Sequence, residues 1–252
     1  MSSISAIVVT LNEERMIRAC LMSIQWADEI IVVDSGSTDQ TVAIAEEYAT
    51  KVIKSEWLGF SGTKALAVDH ATKSWILWID ADEVVPEPLS AEIQKRVVNP
   101  IDVRGFLMPR KAIFLGKWIR HCGWYPGYVC RLFLREHAVF ENVKVHESVI
   151  VDGPTEVLEN ALMHYTDDSL EHYIEKFNRY TSLGAQQLHE DGRSFRLTDL
   201  VFRPPFAFFK MYILKFGYLD GIQGLILCVL SACYVFTKYA KLWHLCYGMD
   251  HR

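Results

Sequence analysis

Three carboxylates fall within four positions at Asp80-Ala81-Asp82-Glu83. They follow Trp75-Ile76-Leu77-Trp78-Ile79, an apolar run of the length of a buried strand. Pro86 and Pro88 keep a strand or helix from running on. An Asp-x-Asp delivered at the carboxyl end of a strand suits a hard cation on a diphosphate. The strand fixes the backbone, and the aspartates offer oxygen ligands to Mg²⁺ or Mn²⁺. The plainer alternative is an acidic surface turn.

The elements that would position these residues can be read outward from them. Ile4 to Thr10 is a β-branched run that reads as a buried strand. Leu11-Asn12-Glu13-Glu14 opens an amphipathic helix carrying Ile17, Leu21 and Ile24. Glu29 to Asp34 is a second strand, ending on an aspartate. Ser35 to Asp39 makes a turn, and Thr38 or Asp39 can cap a helix through Glu46. Lys51 to Ile53 is a third strand, and Gly62 to Ala71 a helix leading into the strand that ends at Asp80. This alternation predicts an α/β fold with a parallel sheet and crossover helices. Ligands of such sheets bind beyond the carboxyl ends of the strands. Thr10, Asn12, Asp34 and Asp80 to Asp82 all fall there, so the pattern predicts one nucleotide site. There is no Gly-x-Gly-x-x-Gly after the first strand and no Walker-type lysine motif, which disfavours a dehydrogenase or P-loop enzyme.

Composition sets further bounds. The 252 residues are half apolar, enough for a substantial core, and the net charge of −5 argues against a nucleic-acid partner. Charge is unevenly spread: Arg193 to Arg252 holds eight Lys/Arg against three Asp. Met1-Ser2-Ser3 lacks a basic region, so no signal peptide is expected. The six cysteines form no Cys-x-x-Cys pair and read as reduced thiols of a cytosolic protein without structural zinc.

Val33-Asp34-Ser35-Gly36-Ser37-Thr38-Asp39 and Asp80-Ala81-Asp82-Glu83 resemble the signatures of family 2 inverting glycosyltransferases. Glu56-Trp57-Leu58-Gly59-Phe60, Gly123-Trp124-Tyr125-Pro126, Arg131-Leu132-Phe133, Val145-His146-Glu147 and Lys238-Tyr239-Ala240-Lys241 narrow the likeness. They are similar to bacterial lipopolysaccharide inner-core β-1,4-glucosyltransferases. The resemblance covers essentially the whole chain. It implies the GT-A nucleotide-sugar-binding fold, a Rossmann-like, mostly parallel sheet flanked by helices. It also implies UDP-glucose as donor, a divalent metal (Mg²⁺ or Mn²⁺), and a lipopolysaccharide core acceptor. Another family 2 transferase, acting on polyprenyl phosphate or a different surface glycan, is the alternative among enzymes. A catalytically inactive nucleotide-sugar-binding protein at the membrane is the alternative outside them.

The same resemblance implies roles. Thr10, Asn12 and Glu13 would frame the uridine, Asp34 would accept from uracil or ribose, and Asp80 would face the ribose or sugar. Asp82 would ligate the metal, and Lys64 would reach the diphosphate. Thr63-Lys64-Ala65 departs from the Gln-Lys-Asn of relatives, and Gly127 replaces an acidic residue. Arg131 lies in an aromatic and basic stretch, Arg104 to Leu134, suited to sugar faces and phosphates; a solvated basic edge is the other reading. Inverting transfer needs a base for the acceptor hydroxyl. Glu147 is expected to serve, with His146 orienting it or acting in its place, although the two also fit a strand with alternating faces. His164 is a third-ligand candidate for the metal, or a satisfied structural histidine.

Leu170 to His189 reads as an amphipathic helix whose Tyr173, Phe177, Tyr180 and Leu183 face a core. Phe206 to Tyr218 is strongly apolar and aromatic yet carries Lys210 and Lys215. Gly221 to Thr237 has no charge over seventeen residues. Three readings compete: a hairpin lying in an anionic membrane surface, one spanning helix, or a buried pair completing the core or a homodimer interface. The first is favoured, because basic residues border both parts and Gly221, Gln223 and Gly224 interrupt a clean span. The expected division is a GT-A domain over 1–192 and a basic, apolar, helical membrane-associating tail over 193–252. The expected location is the cytoplasmic face of the inner membrane, peripheral or monotopic.

Overall fold

The computed structural model describes residues 3–98, 102–140, 149–167 and 169–248. Two compact units form, one from 1–111 with 127–165 and the other from 112–126 with 166–252.

The first unit opens with strand β1 (Ile4–Thr10), helix α1 (Ile17–Ser23), β2 (Glu29–Asp34), α2 (Thr41–Tyr48), β3 (Lys51–Lys54), α3 (Gly59–Asp69) and β4 (Trp75–Asp80). β5 (Glu83–Val84) and α4 (Glu87–Val98) follow, then β6 (Gly105–Phe114), β7 (Lys117–Trp118), β8 (Gly127–Leu134), β9 (Ala138–Phe140), β10 (Val149–Val151), β11 (Thr155–Val157) and β12 (Leu162–Asp167). The main sheet runs β3-β2-β1-β4-β8-β6-β12-β5, with β11 beside β6, and β9 pairs with β10 separately. The first four strands in this order are parallel, as the β-α alternation predicts. β8 then pairs antiparallel to β4. β1, β2 and β4 are buried on both faces, which is why their sequences are continuous Ile/Val/Leu/Trp runs rather than alternating ones. One face packs Val8, Val32 and Leu77 with Ile17, Leu21 and Ile24. The other packs Ile7, Ile31, Val33 and Trp78 with Ala67 and Ala71.

α1 starts at Ile17, several residues later than Leu11 to Glu14 suggest. Asn12 adopts a left-handed backbone, φ 54°, and the residues after it are spent on a neighbouring loop. Asn12 N–H donates to Ser37 Oγ, Glu13 N–H to Thr41 Oγ1, and Glu14 N–H to Asp39 Oδ2.

The second unit holds β7, the distal ends of β6 and β12, and helices α5 (Leu170–Glu190), α6 (Leu197–Phe209) and α7 (Gly221–Tyr247). Ser169 caps α5, its Oγ accepting from His172 N–H at 3.1 Å. The stripe of α5 joins the tail: Phe177 meets Tyr234 edge-on at 5.8 Å, and Lys241 Nζ bonds Asn178, Thr181 and Ser182. Residues 117–122 belong there too, because buried Asp220 accepts from the N–H groups of Arg120 and His121.

The tail folds as a helical hairpin. α6 ends in a wider turn, Lys215 N–H donating to Lys210 O, and the chain reverses at Phe216, φ 54°. Gly224 is required at the reversal, since a Cβ there would lie 2.1 Å from Gly217 O.

Candidate active site

The parallel register places the chemistry. Thr10 pairs with Asp34, and Val9 with Asp80. Asp34 and Asp80 thus end the two strands flanking β1, about 10 Å apart at the strand spacing. The sheet brings four segments to one rim: Thr10 to Glu13, Asp34 to Ser37, Lys64, and Asp80 to Glu83.

The Asp34 end is tightly wound. Asp34 is only 2% exposed. Its Oδ2 accepts from the N–H groups of Gly36 and Ser37, both at 3.0 Å, and Ser37 Oγ donates to Oδ1. Gly36, φ 98°, supplies the left-handed residue this turn needs. Thr38 N–H donates to Asn12 Oδ1 at 2.8 Å, tying the loop back to β1. The Asp34 carboxylate is therefore largely occupied by its own turn. Two hydroxyls beside it, Thr10 Oγ1 and Ser35 Oγ, are buried with no protein hydrogen-bond partner. Such a group costs about 1–3 kcal/mol unless a ligand or water meets it. A cleft of about 610 Å³ opens here, lined by Asp34 to Ser37, Val42 and Lys54 to Trp57. Sequence reasoning missed Ser35, although it sits within the Asp34 turn.

The Asp80 end is a buried ionic network. Arg131, on β8, pairs with Asp80 Oδ2 and donates to Glu83 Oε1 at 2.8 Å. Glu83, fully buried, also accepts from Asp80 N–H at 3.0 Å and lies 3.5 Å from Arg110. Trp78 Nε1–H donates to Asp80 Oδ1 at 3.0 Å, and Lys64 Nζ lies 3.8 Å from the same oxygen. Lys64 and Arg131 each come within 3.8 Å of the Trp78 ring centroid. Burial works to raise the Asp80 pKa, but the charges of Arg131 and then Lys64 overcome it and hold the carboxyl far below its usual range. Burial likewise opposes the Arg131 charge, and Asp80 and Glu83 more than restore it. Asp80 is thus an ionised anchor whose oxygens are already engaged. Glu83 and Trp78 are site-forming residues that sequence reasoning left without a role, and Arg110 was read only as part of the basic stretch. Glu83 was visible as the third carboxylate of the motif.

Asp82 is arranged differently. β5 pairs antiparallel with β12, Glu83 opposite His164. This pairing brings His164 Nε2 to 3.3 Å from Asp82 Oδ2, from a residue 82 positions later. His164 Nδ1 is buried and has no partner. Among the described residues, no group of three or more His, Cys, Asp or Glu side chains is arranged to hold a metal ion by itself. The Asp82–His164 pair supplies at most two protein ligands of a type suited to a divalent ion, leaving the others to phosphate oxygens and water. Residues 141–148, with His146 and Glu147, lie outside the described residues.

The fold is that of the GT-A glycosyltransferases. Glucosyl-3-phosphoglycerate synthase of Mycobacterium tuberculosis, solved with Mn²⁺, uridine diphosphate and glucosyl-3-phosphoglycerate, superposes with a TM-score of 0.50 at 18% identity, over 76% of this chain and 80% of that one. The family model for glycosyl transferase family 2 matches residues 5–121. An uncharacterized glycosyltransferase of Rickettsia felis is 33% identical across 96% of this chain and 90% of its own length. The lipopolysaccharide core biosynthesis glycosyltransferase LpsC of Rhizobium meliloti is 29% identical across 95% of this chain and 92% of its own. The chain belongs to glycosyl transferase family 2, and it is a glycosyltransferase.

Proposed function

We propose that this glycosyltransferase moves glucose from UDP-glucose to a heptose of the lipopolysaccharide inner core, with inversion at the anomeric carbon. The observation that carries the reading is the single rim on which Thr10, Ser35, Asp34, Asp80 and Asp82 converge. The likeness to LpsC along nearly the whole chain supports the acceptor class. Thr10 Oγ1 and Ser35 Oγ would meet the uridine, with Asn12 and Glu13 on the adjoining turn. Lys64 and Arg131, held to Asp80, would set a positive potential behind the diphosphate. Asp82 and His164 would hold Mg²⁺ or Mn²⁺, which neutralises charge on the departing UDP. Glu147 would take the acceptor hydroxyl's proton, with His146 beside it. The hydroxyl oxygen bonds to the anomeric carbon as the bond to UDP breaks. The acceptor is lipid-anchored, which fits work at the cytoplasmic face of the inner membrane.

UDP release from UDP-glucose, measured with heptose-terminated core as acceptor, tests the reading. Mass spectrometry of core oligosaccharide from a strain lacking the protein should then show one hexose missing from a heptose. No UDP release with any core acceptor would sink it. With only two protein ligands on offer among the described residues, ion and nucleotide should bind together. Calorimetry with Mn²⁺ alone should give no saturable binding, and UDP should restore it. Tight Mn²⁺ binding by the free protein would overturn the two-ligand arrangement.

A further inference from the structure

The outer face of α6 is inverted relative to an ordinary surface helix. Phe202, Phe206, Phe209 and Ile213 recur at i, i+4, i+7 and i+11, so they form one stripe along the helix and its terminal turn. All four are exposed, Phe202 at 67% and Phe206 at 60%. The opposite side, with Pro204, Phe208 and Met211, supplies the packing within the second unit. The apolar surface continues into the reversal, where Leu219 and Ile222 are 57% and 62% exposed. Arg196, Lys210 and Lys215 are exposed along the same stretch. Its only two acids are neutralised or hidden. Asp199 is held by Arg203 and Arg193, and Asp220 is buried.

We infer that this face lies in the plane of a bilayer, its phenylalanines at the acyl boundary and its cations on anionic headgroups. The proposal deepens the membrane placement in the proposed function by naming the surface that makes it. The charge pattern selects the occupant: an apolar stripe edged by cations and without exposed acids complements an anionic lipid surface. α7 is long and apolar enough to cross a membrane, but its C-terminal part is bound to a charged helix. Lys241 of α7 donates to Asn178, Thr181 and Ser182 of α5. A spanning α7 would drag exposed Glu171, Glu175 and Arg179 of α5 into hydrocarbon.

The test is partition of the purified full chain onto phosphatidylcholine vesicles with and without phosphatidylglycerol, which requires neither donor nor acceptor. The wild type should bind the anionic vesicles, and raised salt should weaken binding. Phe206→Ser with Phe209→Ser should lower partition at least about tenfold. Lys210→Glu with Lys215→Glu should lower it about 25-fold or more at low salt, at roughly fivefold per lost cation. Circular dichroism and thermal melts should match wild type, since these side chains are exposed. If the wild type ignores anionic vesicles, or the variants bind them equally well, the proposal fails. It fails equally if the phenylalanine variants turn a dimer into a monomer and leave partition unchanged, because the face then covers a second copy. Loss of UDP release with intact vesicle binding would strike the catalytic reading and leave this one standing.

Discussion

The Asp80–Glu83 turn and the outer face of α6 break the usual pattern of a soluble protein in opposite directions. In the first, charged side chains are inside: Glu83 and Arg131 are buried, and each is bonded. In the second, phenylalanines are outside, with the helix's packing on its far side. Burying a charge is tolerable only with a partner in good geometry, so the first region should be sensitive to losing any member. Exposing a phenylalanine costs the folded state little, so the second should be silent in stability and audible only in partition. The difference separates residues held by the fold from residues held by what the protein meets.

Four substitutions would tell the two regions apart. The largest effect is expected at Asp82, which faces His164. Asp82→Ala should lower turnover about 10³-fold or more, through several kcal/mol of lost charge stabilisation, while the melting temperature stays near wild type. Turnover within threefold of wild type would remove it from the metal role. Arg131→Met should instead cost about 3–5 kcal/mol of stability, because Glu83 and Asp80 are left as unpaired charges. Chemical denaturation measures it, and a loss below about 1 kcal/mol would mean the network is far better hydrated than it looks. Trp78→Phe keeps a ring beside both cations but removes the Nε1–H bond to Asp80 and part of a buried indole, so about 2–3 kcal/mol is expected. Phe206→Ser should sit at the bottom, within about 0.5 kcal/mol of wild type by the same denaturation. A large loss there would show that the stripe packs against protein.

Much of the first unit was legible in the chain. The strands β1, β2 and β4 are continuous apolar runs because they are buried on both faces, and each ends in a polar residue. Alternation with helices fixed their parallel order, and that order alone brings Asp34 and Asp80 to one rim. The α5 stripe was legible only in part: its four residues are half-buried, while the fully buried positions are Thr181 and Ala185. The start of α1 was not, because the Asn12 turn is stabilised by Ser37, Asp39 and Thr41, residues of another loop.

What the sequence determined by itself is local: strand and helix periods, the turn that Asp34 winds around Gly36, and the presence of three carboxylates where β4 ends. Their division of labour was decided only in three dimensions. Asp80 is committed to Arg131 and Trp78, while Asp82 faces His164, because β8 lies beside β4 and β12 beside β5 in the sheet. Likewise, composition marks the tail as greasy and basic, but only packing tells which apolar residues are spent on the core and which remain outside. Period and propensity act through adjacent peptides, whereas desolvation and ion pairing depend on whatever atoms the finished fold brings within a few ångströms.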